Sequence, residues 1–205
     1  MEQLCFFPEA GQSKGLPPDM LEYRPGLIDK QAGDALLEKF IRDTPWKQST
    51  QKMREKEYLT PRLTAWFGDQ DTDHSISGDG SNPLPWTGDL LAIKEKVDEA
   101  TGITFNSVLL NYYRNGNDSV SWHDDMDGIP GRNRVVASIS LGGVRVFDIR
   151  NKADHNLKFS IPLQNGSFLL MKGDFQQNWQ HRIAKSNKPV GERVNLTFRI
   201  SLLVT

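Results

Sequence analysis

Ten residues towards the C-terminal end, Arg193 to Leu202, alternate between polar and apolar types without a break. In an extended chain successive side chains point to opposite faces. Arg193, Asn195, Thr197, Arg199 and Ser201 therefore share one face, and Val194, Leu196, Phe198, Ile200 and Leu202 the other. A helix would scatter those apolar residues around its axis, so the segment is read as a strand with one buried face. The polar face admits two surroundings. It can lie in water, as in many antiparallel sheets, or it can line a cavity, because small barrels enclose ligands. Two arginines on that face suit the second case, since a guanidinium keeps its charge and donates in a planar fork to carboxylates. Asn111 and Tyr113, two positions apart in another β-rich run, add further donors on a shared face.

The rest of the second half is also strand-like. Segments 104–114, 134–142, 144–150, 157–163, 166–172 and 192–204 are β-rich and separated by turn signals such as Asn115-Gly116 and Gly142-Gly143. The first half differs. Residues 1–26 hold four prolines and three glycines and read as an irregular arm. Ala32, Ala35, Leu36, Phe40 and Ile41 recur at helical spacing until Pro45, and Leu90, Leu91, Ile93 and Val97 define a second amphipathic helix ending near Gly102. Between them lies an expected hairpin, with limbs at 46–49 and 59–67 and a charged tip, followed by a Gly/Asp/Ser-rich loop over 68–85. Lys47, Lys52, Arg54, Lys56 and Arg62, with Glu55 and Glu57 among them, read as a solvated charged segment. Many short strands after a helical portion predict an α+β, mainly β domain: a small barrel or jelly roll with helices buttressing one sheet.

Composition narrows the function classes. A net charge of -1 argues against a broad cationic surface. The single cysteine, Cys5, cannot close an internal disulfide, which fits a reducing compartment. No cationic, apolar leader and no run of eighteen apolar residues is present, so a cytoplasmic protein (nuclear in a eukaryote) without a membrane span is expected.

The sequence also contains a candidate metal site. His123 and Asp125 are two apart, on one side if the segment is extended, and His181 follows several strands later. Two imidazoles and a carboxylate are the facial ligand set of non-haem iron(II) oxygenases, which leaves positions open for a co-substrate and dioxygen. Zinc or manganese can use the same side chains. His74 and His155 lie in polar, loop-like stretches and read as surface residues.

Taken together, Asn111-x-Tyr113, His123-x-Asp125, His181 and Arg193-x-Asn195-x-Thr197-Phe198-Arg199 resemble, in order and approximate spacing, the AlkB family of nucleic-acid dealkylases. Pro61-Arg62, Phe67-Gly68-Asp69, Ser77-Gly78, Pro85-Trp86 and Ala137–Gly142 extend the likeness over roughly residues 60 to 202, nearest the subgroup with the human DNA-repair homologues two and three. The resemblance implies a double-stranded β-helix (jelly-roll) core with an N-terminal nucleotide-recognition lid. The chain would then be one domain, with arm, helix and lid in 1–88 and a helix plus catalytic core in 89–205. It implies Fe(II) on His123, Asp125 and His181, with 2-oxoglutarate and O2 as co-substrates. Asn111, Tyr113, Arg193, Asn195 and Arg199 would bind 2-oxoglutarate: Arg193, Tyr113 and Asn195 at the distal carboxylate, Arg199 and Asn111 near the metal. Asp127 would contact the exocyclic amino group of the target base, and Trp66 and Phe67 would stack on it.

The implied activity is oxidative dealkylation of N-alkylated bases such as 1-methyladenine and 3-methylcytosine in DNA or RNA. It is coupled to decarboxylation of 2-oxoglutarate to succinate and releases formaldehyde, in a monomer serving alkylation-damage repair. Two alternatives stand beside it: a 2-oxoglutarate oxygenase acting on a protein side chain or small metabolite, and a non-catalytic nucleic-acid- or metal-binding module.

Overall fold

The computed structural model describes residues 19–53, 56–70, 82–126 and 135–201. In chain order its elements are β1 (Leu21–Arg24), α1 (Lys30–Asp43), β2 (Thr50–Met53), β3 (Lys56–Leu59), β4 (Leu63–Gly68), α2 (Gly88–Thr101), β5 (Ser107–Tyr113), β6 (Val120–His123), β7 (Val136–Gly142), β8 (Arg145–Asn151), β9 (Lys158–Leu163), β10 (Ser167–Met171), α3 (Phe175–Asn178), β11 (Trp179–Ile183) and β12 (Arg193–Arg199).

Both long helices begin and end where capping chemistry puts the boundary. The Asp29 carboxylate accepts the Ala32 N–H at 2.9 Å, and Pro45 follows directly after the α1 C-cap, Thr44. Thr87 caps α2 by accepting from Leu90, and Gly102, at φ 69°, closes it in the left-handed conformation that glycine adopts without strain.

The strands form two antiparallel sheets. The larger runs β1-β10-β7-β12-β5-β4 and the smaller β6-β11-β8-β9, with β2-β3 as a separate two-stranded ribbon. This is the jelly-roll arrangement. The helices pack on one face of the larger sheet: Phe40, Leu90, Ile93 and Val97 meet Val108, Leu110, Ile139, Val194, Leu196 and Phe198. Its other face meets the smaller sheet through a second core that includes Tyr113, Phe147, Ile149, Leu169, Met171 and Ile183. The larger sheet is thus covered on both sides, and the alternation of β12 divides between two interiors. Its apolar residues face the helices, while Arg193, Asn195 and Thr197 are buried between the sheets.

Several elements depart from the sequence reading. β1 lies inside the stretch read as an irregular arm and pairs with β10 from Leu21↔Met171 to Arg24↔Phe168. Four residues next to Pro25-Gly26 are too few to show a period, and the strand gains its ladder only from a partner far along the chain. The expected hairpin limbs do meet, through reciprocal Lys47–Thr64 backbone bonds, but the ladder continues into the charged tip as β2 and β3. β6, α3 and β11 were not anticipated, because each is short and rich in polar residues.

Candidate metal and diacid site

Between the sheets lies a cavity of about 250 Å³ whose walls include His123, Asp125 and His181. β6 and β11 bring the histidines together, since His181 pairs directly with His123 across the ladder. Asp125 follows just beyond the end of β6. One potential ligand atom from each of the three lies within 4.8 Å of the others. His123 Nε2 is 3.9 Å from Asp125 Oδ1 and His181 Nε2 is 3.5 Å from Asp125 Oδ2.

The protonation states suit a cation. His123 Nδ1 lies 2.8 Å from the Ser121 carbonyl, which can only accept, so Nδ1 carries a proton and Nε2 is the ring nitrogen left for a metal. His181 is buried, stacked on Phe147 with ring centroids 4.9 Å apart. Burial pushes its pKa down to about 3, so the imidazole is neutral. A neutral His181 imidazole, the His123 ring beside it and a buried carboxylate fit a divalent metal with positions left over. Arg199 Nη2 donates to Asp125 Oδ1 and orients that carboxylate.

The polar face of β12 lies in the same cavity. Arg193 is 1% exposed; its Nη2 donates to Ser140 Oγ at 2.9 Å, while Nε and Nη1 have no partner. The guanidinium sits over the Tyr113 ring, 5.0 Å from the centroid. Burial pushes its pKa down to about 10, which leaves it charged at neutral pH. A buried cation with unsatisfied N–H groups is costly unless a ligand completes it. Asn195 Nδ2 donates to Ser138 Oγ and the Ile139 carbonyl at 2.7 and 2.8 Å, and Thr197 Oγ1 donates to Asn195 Oδ1 at 3.2 Å. Arg199 Nε is also buried without a partner. Among the lining residues Arg62, Arg193 and Arg199 are cationic and Asp125 is the one carboxylate. That balance favours an anionic ligand, the more so with a divalent cation in place.

The fold therefore gathers Asn111, Tyr113, His123, Asp125, His181, Arg193, Asn195 and Arg199 around one cavity. The aromatic pair separates. Trp66 pairs with Leu109, which lines the cavity, and so lies on the cavity side of the larger sheet, buried with Nε1 unpartnered. Phe67, one residue on, turns the other way into the core beneath the helices. The expected stacking role of Phe67 is corrected accordingly: strand alternation aims it away from the cavity. Asp127 lies outside the described residues.

Sequence reading also overlooked three contributors. Arg62, taken as part of a charged surface run, lines the cavity and its Nε donates to Asn111 Oδ1 at 2.9 Å. Ser138 and Ser140 face inward from β7, and the alternation of Ala137-Ser138-Ile139-Ser140-Leu141 was the available signal.

Comparison with known proteins shows the family and the fold. The 2OG-Fe(II) oxygenase superfamily matches residues 20–199. Human alpha-ketoglutarate-dependent dioxygenase alkB homolog 3 is 41% identical over 183 residues, 85% of this chain and 64% of that protein. Human DNA oxidative demethylase ALKBH2 is 35% identical, over 72% of this chain and 59% of that protein. The chain thus spans less than two thirds of the length of either relative. The solved structure of OsALKBH1 shares the fold, with a TM-score of 0.65, 16% identity, and coverage of 90% of this chain and 99% of that one.

Proposed function

The chain belongs to the 2OG-Fe(II) oxygenase superfamily, in its AlkB branch close to homologues two and three, and from this we propose that it oxidatively dealkylates N-alkylated bases in DNA or RNA. The observation that carries the reading is the buried Arg193, whose free N–H groups share a cavity with the His123, Asp125, His181 cluster. A small diacid that also ligates a metal satisfies both halves. The two relatives' names, one a dioxygenase and one a DNA oxidative demethylase, support the substrate class.

In this reading Fe(II), with 2-oxoglutarate and O2, would supply the oxidant: one oxygen atom would hydroxylate the alkyl carbon and the other would enter succinate as 2-oxoglutarate loses CO2, after which the base is released and formaldehyde leaves when the group is methyl. The protein's part is placement. His123, Asp125 and His181 hold the metal and leave its remaining positions to co-substrates. Arg193 and Tyr113 take the distal carboxylate of 2-oxoglutarate, with Asn195, its amide N–H groups committed to Ser138 Oγ and the Ile139 carbonyl, in the wall beside it, and Arg199 and Asn111 stand near its metal end. Arg199 also keeps the Asp125 carboxylate directed. Trp66 and Asp127 are assigned to the side that receives the base, and the β2–β3 ribbon to the recognition lid. A base in a duplex must leave the stack to enter so confined a cavity, which favours damaged or single-stranded targets. The partner is alkylated nucleic acid, met by a monomer in the cytoplasm or nucleus. Among the described residues no helix is long and apolar enough to cross a membrane.

Purified protein with Fe(II), 2-oxoglutarate and air is expected to form succinate and formaldehyde faster with 1-methyladenine or 3-methylcytosine oligonucleotides than with unmethylated ones. Succinate formation that no methylated oligonucleotide stimulates refutes the substrate assignment and points to a protein or metabolite target.

A further inference from the structure

His181 sits inside β11, flanked by ladder partners in β6 and β8. Asp125 lies two residues beyond the end of β6 at His123. The structure holds it by another route. The Asp125 backbone N–H donates to Gln176 Oε1 at 2.9 Å, and Gln176, in α3, is 1% exposed. The other end of that amide is also engaged, with Nε2 directed at Met171 Sδ at 3.5 Å. A thioether sulfur can only accept, so this contact sets which end of the amide faces Asp125. A second tie runs beside the first. Lys152 Nζ reaches Asp124 Oδ2 and the Gln176 carbonyl, each at 2.8 Å, and the Lys152 N–H donates to the Asn178 carbonyl at 2.9 Å. Two consecutive residues after His123 are thus fastened to α3, which leads directly into the strand carrying His181.

We propose that Gln176 is a positioning residue for the metal: by accepting the Asp125 N–H it holds that carboxylate ready for ligation, with Lys152 as a supporting tie. One short stretch, Phe175 to His181, then supplies one ligand and fixes another. A carboxylate on an untethered segment must be ordered when the ion arrives, and that ordering subtracts from affinity. Partners that orient metal ligands typically alter metal affinity by about 10–100-fold when removed. The proposal rests on the triad being the metal site.

Metal binding without turnover tests it. Apo protein is titrated with Mn(II), the free ion is followed by electron paramagnetic resonance, and thermal melting of each apo variant is recorded. Gln176→Met keeps length but offers no oxygen to the N–H, and is expected to weaken Mn(II) binding about 10–100-fold. Gln176→Glu restores an acceptor and is expected to bind within about threefold of the parent or more tightly. Lys152→Met is expected to weaken binding by a smaller factor. Gln176→Met binding within threefold of the parent overturns the proposal, as does an equal loss in Gln176→Met and Gln176→Glu, which marks simple packing. If Gln176→Met shows no melting transition, Lys152→Met decides, and unchanged affinity there overturns the proposal. A parent that binds no Mn(II), or a His181→Ala protein that binds it as well as the parent, overturns the metal site itself and this inference with it. None of these results depends on which alkylated substrate is turned over.

Discussion

Replacing Arg193 with methionine is expected to push the empty and the ligand-bound protein in opposite directions. The guanidinium is fully buried, and Nε and Nη1 have no hydrogen-bond partner in the protein. Its pKa falls from 12.5 to about 10, which corresponds to about 3 kcal/mol of destabilisation at any pH below the folded-state value, because both states are then protonated. Methionine removes that cost. It also removes the bond to Ser140 Oγ and the contact with the Tyr113 ring, each worth about 1 kcal/mol. The net gain is about 1 kcal/mol, a rise of a few degrees in apo melting temperature for a chain of this size. Binding moves the other way. Two charge-assisted hydrogen bonds from Nε and Nη1 to a carboxylate are worth about 3–6 kcal/mol together, so 2-oxoglutarate affinity should fall about 10²–10⁴-fold. Anaerobic calorimetry with Mn(II)-loaded protein measures the affinity, and calorimetric melting of the apo protein measures the stability. Binding within threefold of the parent, or a variant that melts well below it, would show that Arg193 is a structural cation rather than a carboxylate receptor.

Two further outcomes follow from the geometry. Gly166 has φ +76°, and a Cβ there would stand 1.9 Å from the Ile28 carbonyl oxygen; Gly166→Ala should destabilise the protein by about 3 kcal/mol or more, and an unchanged urea midpoint would contradict the close approach. His181 has a folded pKa of about 3 against an ordinary 6.5, so the unfolded chain binds the extra proton between those values. Apo stability should therefore fall as pH drops below 6.5, by up to about 1.4 kcal/mol per pH unit, and His181→Leu should flatten the slope in denaturant titrations run with a chelator.

The part of the fold legible in the sequence was the part with a local cause. α1 and α2 carry their own caps and apolar stripe. The strands from β5 to β12 that were anticipated show alternation or bounded apolar runs. β1, β6 and β11 did not, because short strands acquire regular structure from partners distant in the chain. The candidate site divides in the same way. His123-x-Asp125 and the arginines of β12 stand out by residue type and spacing, whereas Arg62 was hidden in a charged run. Gln176 carried no signal, since one glutamine in Asp174-Phe175-Gln176-Gln177-Asn178 looks like its neighbours until Asp125 is placed beside it.

The sequence by itself determined the alternation in Arg193–Leu202, and with it which residues of that strand share a face. Tertiary structure decided what each face meets. The helices take Val194, Leu196 and Phe198, and the smaller sheet closes over Arg193, Asn195 and Thr197, turning a polar face that also suited water into the wall of a cavity. Periodicity is a property of the backbone and is written locally. Burial depends on what packs opposite, and only the folded chain supplies that.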